Sequence, residues 1–346
     1  MPRAAFEICG ESVPAGTRKT VDIPLGVMSN HTPMTLPVYV IHGRRDGPTL
    51  FVSAAIHGDE VQGVEIIRRL IQGKSLRGVR GTVLLIPIVN GYGFISHTRY
   101  LPDRRDLNRS FPGAPGGSLA GRLAHTFMTE IVRRSDVGLD LHTGALHRTN
   151  LPQIRADLEE GSCLGLAHAF GAPVILHSDL RDGSLRGAAQ EAGVDVLLYE
   201  AGEALRFDEF AIRAGVKGVL GVMQHLGMIT SKSGKTRKTK SVISRSSHWL
   251  RAAEGGIFRA TKTIGDSVER GEIIGAIADP FGEADTEIIA RATGIIIGRT
   301  NVPVVNQGDA LFHIAKVFNA EKTGDRVGAL EQELDDDPLF DDASLV

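Results

Sequence analysis

The central part of the chain alternates between short apolar runs and amphipathic stretches, and this alternation constrains the fold more than any other feature. Continuous apolar strands that alternate with helices are typical of a parallel sheet covered by helices on both faces. We therefore predict an α/β fold with a mixed, mostly parallel sheet between Pro48 and about Leu226. The strands are predicted at 49–56, 82–89, 137–141, 173–176 and 194–199, and the helices at 61–72, 118–134, 160–170, 184–192 and 208–226.

The sequence changes in character on both sides of this central part. Residues 1–47 carry short alternating runs typical of edge strands, and we place them with the central part in a first domain spanning 1–230. The polar and basic segment 231–247 is predicted to be a linker or exposed loop. Short apolar runs between Gly-Asp and Gly-Glu turns predict a smaller C-terminal all-β domain at 248–318. The acidic, aperiodic segment 319–346 is predicted to be a mobile tail.

Composition narrows the partners and the compartment that we expect. The formal net charge is −2, which gives no general electrostatic reason to bind nucleic acid or a membrane surface. No apolar run reaches the ~18 residues of a membrane span, and the N-terminus lacks a signal-peptide pattern. Two cysteines, Cys9 and Cys163, make neither a disulfide framework nor a cysteine-rich zinc module, and they fit a reducing compartment. We therefore expect a soluble cytoplasmic protein in which histidines and carboxylates hold any metal.

The first predicted central strand ends in a polar motif, His-Gly-Asp-Glu at 57–60. In a mostly parallel sheet, ligands bind beyond the carboxyl ends of the strands. His57 and Glu60 lie on the turn that follows this strand, so both side chains can point to one spot. An imidazole and a carboxylate that converge there are typical of two ligands of a zinc ion.

A second predicted strand supplies a third ligand. The run 136–144 is strand-like and reaches His142 near its end. Together with His57 and Glu60, His142 would complete a set of two histidines and one carboxylate, which leaves one position open for water, as in catalytic zinc sites. Asp140 is predicted to orient the His142 ring through a hydrogen bond.

Hydrolysis at such a site needs a base, and the predicted strand that begins at Val194 reaches Glu200 after mostly apolar positions. Glu200 is therefore expected at the same sheet edge, where a carboxylate can carry a proton from water to a leaving amine. Glu203 is the alternative, although a helix-start carboxylate is its simpler interpretation. The segment 99–109 holds four arginines, which either clamp a substrate carboxylate or form a solvated charged loop.

Four motifs in this order resemble the succinylglutamate desuccinylase/aspartoacylase family, which belongs to the zinc carboxypeptidase-like (M14-type) hydrolases. The resemblance covers roughly residues 48–226 and implies a zinc carboxypeptidase-like fold, with a mixed sheet between helices. The C-terminal β-rich region is also in keeping with the family. The motifs are His-Gly-Asp-Glu at 57–60, Asp-Leu-Asn-Arg-Ser-Phe-Pro-Gly at 106–113, Asp-Leu-His-Thr-Gly at 140–144 and Tyr-Glu-Ala-Gly at 199–202.

The resemblance implies roles for the histidine and glutamate motifs. His57, Glu60 and His142 are similar to the zinc ligands of the family. Glu200 is similar to its general base and acid. Aspartoacylases also use an arginine shortly before the catalytic glutamate, and Arg186 is the nearby candidate.

The resemblance also implies roles in the arginine-rich segment. Arg99 resembles the arginine that polarises the scissile carbonyl group, and Arg104 or Arg105 is the alternative for that role. Asn108 and Arg109 resemble the pair that holds the substrate carboxylate.

The sequence thus predicts a zinc-dependent amidohydrolase, with one zinc ion per chain, that cleaves the linear amide bond of a small anionic N-acyl amino acid. This is the deacylase or desuccinylase reaction type. A metallocarboxypeptidase that acts on short peptides and a catalytically silent ligand-binding protein on the same scaffold are the alternatives. The C-terminal β-rich region is expected to narrow the mouth of the active site or to form a subunit contact in a homo-oligomer.

Overall fold

The computed structural model describes residues 3–158, 163–230, 241–317 and 321–340. The segments 231–240 and 341–346, which belong to the predicted linker and tail, lie outside these residues. In the described part of the chain, no helix is long and apolar enough to span a bilayer. The strands are β1 (Phe6–Ile8), β2 (Glu11–Val13), β3 (Thr17–Val27), β4 (Pro33–His42), β5 (Arg45–Ala54), β6 (Arg80–Ile86), β7 (Val137–Gly144), β8 (Arg148–Ala156), β9 (Val174–His177), β10 (Asp195–Glu203), β11 (Val242–Ser244), β12 (Ser247–Arg251), β13 (Gly256–Ala260), β14 (Ser267–Val268), β15 (Ile273–Ala278), β16 (Asp285–Ile289), β17 (Gly294–Thr300), β18 (Val304–Val305) and β19 (Ala310–Lys316). The α-helices are α1 (Gln62–Gln72), α2 (Gly91–Ser96), α3 (Leu119–Glu130), α4 (Cys163–Phe170), α5 (Leu185–Glu191), α6 (Glu209–His225) and α7 (Glu321–Asp335).

The largest sheet is parallel at its centre and antiparallel at its flanks. The strands β10, β7, β5 and β6 are neighbours in that order and pair in parallel. β8 pairs antiparallel with β10 on one side, and β4 and β3 continue the sheet antiparallel beyond β6. The predicted α/β fold with a mixed sheet is confirmed, and each predicted central strand and helix has a counterpart in the structure. β8 lies where the sequence analysis predicted no element.

The central strands are apolar throughout because alternate side chains enter different cores. On β5, Leu50 and Val52 pack into the core that includes residues of α1 and α6. Phe51 points to the other face and meets Phe127 of α3, with 5.8 Å between the ring centroids. Fully burying one such side chain stabilises the fold by about 1.5–3 kcal/mol. The strand is therefore held firmly from both sides, and so is the turn that follows it.

The C-terminal region consists mainly of strands, and several of them extend the central sheet. β17 pairs antiparallel with β8, with Gly298 opposite Asn150, and β19 and β12 follow β17. A separate four-stranded antiparallel sheet has the order β16, β15, β13, β18. The C-terminal region is therefore joined to the central part of the chain by a continuous ladder of backbone hydrogen bonds.

Two segments differ from the sequence-based expectation. In the described part of the predicted linker, β11 pairs in parallel with β9. In the predicted tail, the prediction of aperiodic structure is wrong for α7. Leu330 and Leu334 of α7 are each 1% exposed in the main core, and Glu333 pairs with Lys217 of α6 at 2.9 Å. The apolar residues Leu330 and Leu334 have helical spacing, but they lie in an acidic segment, and the sequence analysis did not recognise the pattern.

A buried histidine lies in the C-terminal part of the sheet. The ring of His313 on β19 stacks on Trp249 of β12, with 4.4 Å between centroids, and its Nε2 is 2.8 Å from Ser247 Oγ. His313 is 4% exposed. Burial, together with the positive charges of Arg155 and Arg148, lowers the pKa of His313 to about 3. His313 is therefore neutral in the folded protein at physiological pH.

This neutrality predicts a specific loss of stability in acid. The unfolded chain takes up a proton at His313 as the pH falls below about 6.5, whereas the folded chain does so only near pH 3. The free energy of unfolding should therefore fall with pH by up to about 1.4 kcal/mol per unit in this window. Between pH 7 and pH 5, urea denaturation should show wild type losing about 2 kcal/mol more than His313→Gln.

His168→Gln is the matched control, since His168 lies exposed on α4. That variant should follow the wild-type pH dependence. Parallel curves for wild type and His313→Gln would show instead that His313 carries its proton in the folded state.

Candidate active site

Three central strands bring the predicted site residues to one edge of the sheet. β10, β7 and β5 lie side by side and run in parallel, so their carboxyl ends meet. His57 follows β5, His142 lies near the end of β7, and Glu200 on β10 is the direct register partner of His142. All three line one cavity of about 310 Å³.

The turn after β5 needs glycine at its second position. A Cβ atom on Gly58 would lie 2.0 Å from the backbone carbon of Gly93, so a larger residue would push the two segments apart. The turn closes when the Glu60 backbone N–H donates to the His57 carbonyl oxygen, at 3.1 Å. This tight geometry directs the side chains of His57 and Glu60 to the same point.

The Glu60 carboxylate lies between the two imidazole rings. Its Oε1 is 2.6 Å from His57 Nδ1, and its Oε2 is 2.7 Å from His142 Nδ1. The backbone N–H of Thr143 donates to Oε2 at 3.2 Å. The three side chains are buried, and each offers a ligand atom within 4.8 Å of the others. Two imidazole nitrogens and one carboxylate form the donor set of a catalytic zinc site.

The outer nitrogen of each imidazole contacts a second carboxylate. His57 Nε2 is 3.1 Å from Asp106 Oδ1, and His142 Nε2 is 2.7 Å from Asp140 Oδ2. Asp140 in turn accepts a hydrogen bond from Ser53 Oγ at 2.9 Å. Such carboxylates fix the ring and the tautomer, so that the inner nitrogen can bind a metal. This arrangement fits a divalent metal at the Nδ1 atoms and places Asp140 as predicted.

The buried groups stabilise one another's charged forms. Burial would lower the pKa of His142, but Asp140 and Glu60 outweigh burial and hold that pKa well above its usual value. Burial would raise the pKa of Glu60, yet His57 and His142 hold it well below its usual range. A divalent cation that binds here must displace the protons on the Nδ1 atoms of the two imidazoles, because it would bind to those same nitrogen atoms.

Arg99 contacts this cluster directly. Its guanidinium donates to Glu60 Oε1 at 3.2 Å and to Asp106 Oδ2 at 3.0 Å. Arg104 and Arg105, the alternatives for the same role, are exposed and do not line the cavity. Of the three arginines, Arg99 is the one that the fold brings to the candidate metal ligands.

The other predicted substrate contacts also line the cavity. Asn108 is buried, and its Oδ1 accepts the Leu185 backbone N–H at 2.9 Å, which leaves its amide group as the donor for an anion. Arg109 is exposed at the cavity wall. Arg186 is 8% exposed and donates to the backbone oxygen of Ser178 at 3.3 Å.

Glu200 and Glu203 have different surroundings. The Glu200 carboxylate accepts a hydrogen bond from Asn150 Nδ2 at 2.9 Å and forms an ion pair with Arg155 inside the cavity. Glu203 accepts from the His147 backbone N–H at 2.9 Å and does not line the cavity. Glu203 therefore ties the end of β10 to a neighbouring turn, and of these two carboxylates Glu200 is the one that lines the cavity.

Sequence reasoning missed several residues of the cavity wall. Asn150 and Arg155 lie on β8, which was not predicted, and Arg148 begins the same strand. Trp249 comes from the C-terminal region, and the Arg148 guanidinium lies 4.8 Å from the centroid of its ring. Asp106 stood in a recognised motif but had no assigned role. The alternation of polar and apolar residues at 153–156 is the signal that could have indicated β8, although Pro152 argues against a central strand.

Comparisons with known proteins identify the family of the chain. The family model of the succinylglutamate desuccinylase/aspartoacylase catalytic domain matches residues 46–226, which hold all the candidate metal ligands and Glu200. The chain belongs to the succinylglutamate desuccinylase/aspartoacylase family.

Individual relatives match along most of the chain. The N-alpha-acetyl-L-2,4-diaminobutyric acid deacetylase of Halomonas elongata is 29% identical over 297 residues, which cover 82% of this chain and 86% of the relative. A succinylglutamate desuccinylase/aspartoacylase structure from Rhodobacter sphaeroides is 26% identical, with a TM-score of 0.77, and covers 87% of this chain and 96% of its own. The product-bound ectoine utilization protein EutE (DoeB) from Ruegeria pomeroyi is 24% identical, with a TM-score of 0.77 and coverage of 87% and 95%. At 24% identity, the similarity to EutE (DoeB) shows a shared fold and nothing further.

The donor set predicts how metal content responds to mutation. His57→Ala and His142→Ala each remove one of three candidate ligands from a buried site, so zinc per purified chain should fall well below the wild-type value. Elemental analysis after dialysis against zinc-free buffer measures this. His168→Ala, on the exposed side of α4, is the control and should keep the wild-type content. Full occupancy in either cavity variant would refute the ligand set.

Proposed function

We propose that this protein is a zinc-dependent amidohydrolase that cleaves the amide bond of a small anionic N-acyl amino acid. The observation that carries the proposal is the Glu60 carboxylate held between the His57 and His142 rings, with Glu200 in the same cavity. Membership of a deacylase family and the similarity to a deacetylase support the reaction class. We place the reaction in the cytoplasm, in keeping with the two free thiols, Cys9 and Cys163.

The residues of the cavity can each take one part of the reaction. A zinc ion held by His57, Glu60 and His142 would supply a Lewis acid that lowers the pKa of a bound water. Glu200 accepts a proton from the water whose oxygen attacks the amide carbon. As the carbon–nitrogen bond breaks, Glu200 returns that proton to the departing amine. Arg99 stabilises the negative charge that develops on the carbonyl oxygen.

The charges of the cavity wall define the substrate further. The carboxylates that line the cavity are Glu60 and Glu200, and both already have cationic partners. A cavity with this surplus of positive charge suits a substrate with a carboxylate at each end, and it disfavours one with a free amine. The arginines that line the cavity are Arg99, Arg109, Arg148, Arg155, Arg181 and Arg186.

This charge surplus predicts substrate preference. N-succinyl-L-glutamate and N-acetyl-L-aspartate should have a higher kcat/KM than Nα-acetyl-L-2,4-diaminobutyrate, by on the order of 10²-fold, because like charges in close contact cost several kcal/mol. N-acetyl-L-asparagine, which matches N-acetyl-L-aspartate in size without the second charge, separates the effect of charge from that of shape. Faster turnover of the amine-bearing substrate would overturn the charge argument.

The same assay tests the alternative functions. Turnover restricted to short peptides would identify a metallocarboxypeptidase. If every amide stayed intact while zinc was bound, a silent ligand-binding protein would be the better description.

The proposed role of Glu200 as the base can be tested by mutation. Glu200→Gln should keep zinc and lower kcat by about 10²–10⁴-fold, since the amide cannot accept the proton of the attacking water. Steady-state kinetics and zinc analysis on the same preparation measure both effects. Glu203→Gln is the matched control, because Glu203 lies on the same strand but outside the cavity. A Glu200→Gln variant that binds zinc and stays active would show that another group is the base.

A further inference from the structure

Two side chains of β8 hold the Glu200 carboxylate from opposite ends. Asn150 Nδ2 donates to Glu200 Oε1 at 2.9 Å, and the Arg155 guanidinium pairs with Oε2. We propose that Asn150 and Arg155 are positioning residues, which fix the Glu200 carboxylate in the orientation needed for proton transfer. This inference rests on the proposed function, since it gives Glu200 a proton to carry.

A register shift in β8 places both side chains on the same face as Glu200. Glu200 pairs with Gln153, whereas Gly202, two residues further on β10, pairs with Asn150. β8 therefore contains one extra residue at this point, which is a β-bulge. Without the extra residue, Asn150 and Arg155 would point to opposite faces of the sheet, because side chains alternate along a strand. Pro152 lies within the bulge, where the missing N–H is tolerated.

The ion pair between Arg155 and Glu200 is largely shielded from solvent, so water screens it less than an ion pair on the surface. The side chain of Arg155 is 18% exposed and that of Glu200 is 17% exposed. Positively charged Arg186 lies nearby, and its pKa is lowered by burial and by the charge of Arg155. Glu200 therefore compensates the charge of Arg155, and Arg155 restrains a carboxylate that would otherwise rotate about three side-chain torsions.

The two contacts still leave Glu200 able to accept a proton. Each carboxylate oxygen has two lone pairs, and Asn150 and Arg155 engage one oxygen each. A second lone pair on each oxygen therefore remains for the proton of the water. Fixing the base in this way lowers the number of unproductive orientations, and the benefit should appear in the chemical step rather than in substrate binding.

The experiment separates positioning from binding. Arg155→Met keeps the length and apolar stem of the side chain but removes the ion pair. We expect kcat on N-succinyl-L-glutamate, or on the best substrate of the panel above, to fall about 10–100-fold, with KM and zinc content unchanged. Arg155→Lys, which keeps the charge, should recover part of the loss. Asn150→Ala removes the neutral donor and should lower kcat in the same way, which keeps the test available if Arg155→Met folds poorly.

Arg69→Met is the matched control. Arg69 of α1 also pairs with carboxylates, those of Glu65 and Glu209, but it does not line the cavity. That variant should lose thermal stability and keep kcat. A crystal structure of Arg155→Met adds a readout that needs no substrate, and it should show the Glu200 carboxylate displaced from its wild-type position.

Two results would overturn the inference. Glu200 in an unchanged position with wild-type kcat would show that β8 does not position it. A rise in KM with kcat unchanged would show that Arg155 binds a substrate anion instead. Failure of the proposed function has a different signature, because wild type would then turn over none of the panel, while the crystal structure would still report on Glu200.

Discussion

The site depends on one buried carboxylate, Glu60, that two imidazoles share. Taking charged groups out of water is costly, and a buried charge without a partner destabilises a protein by several kcal/mol. Here the charge of each imidazole is balanced on both sides, by Glu60 on the inside and by Asp106 or Asp140 on the outside. The cluster can therefore stay charged although its side chains are buried. A cation that replaced the imidazole protons would interact strongly with the same groups in this environment.

This charge balance requires the backbone to hold the imidazoles and carboxylates at hydrogen-bond distance from one another. The parallel centre of the sheet meets the requirement because side chains from β5 and β7 are packed on both faces. Asp140 is tied to β5 by the hydroxyl of Ser53 as well as by the strand pairing. Arg99 adds a further link, because it joins Glu60 to Asp106 from outside the sheet. The loop that carries Arg99 and Asp106 is thereby fixed to the candidate metal ligands, and a shift in one would disturb the other.

The sequence allowed prediction of the parts of the site that are locally encoded. His57, Glu60 and Asp140 follow from a strand end and the turn or strand beside it, so short spacing sufficed to identify them. β8 escaped prediction because Pro152 argues against a central strand, and only the tertiary register shows that Pro152 lies in a bulge. The contact between Arg99 and Asp106, like that between His57 and Asp106, depends on how the loop folds back, which spacing does not specify. Long-range pairings of this kind need the assembled sheet.

The C-terminal region takes part in the site in two ways, by pairing with β8 and by supplying Trp249 to the cavity wall. β17 pairs with β8 so that Gly298 lies opposite Asn150, and a Cβ atom on Gly298 would lie 2.7 Å from Asn150 Oδ1. The glycine thus leaves the space that the Asn150 amide occupies while its Nδ2 donates to Glu200. The amide must keep this orientation, because the reversed one would direct its oxygen at a carboxylate. Since β17 restricts the position of this amide and Trp249 of β12 packs on Arg148, the C-terminal strands shape both the surroundings of Glu200 and the wall of the cavity.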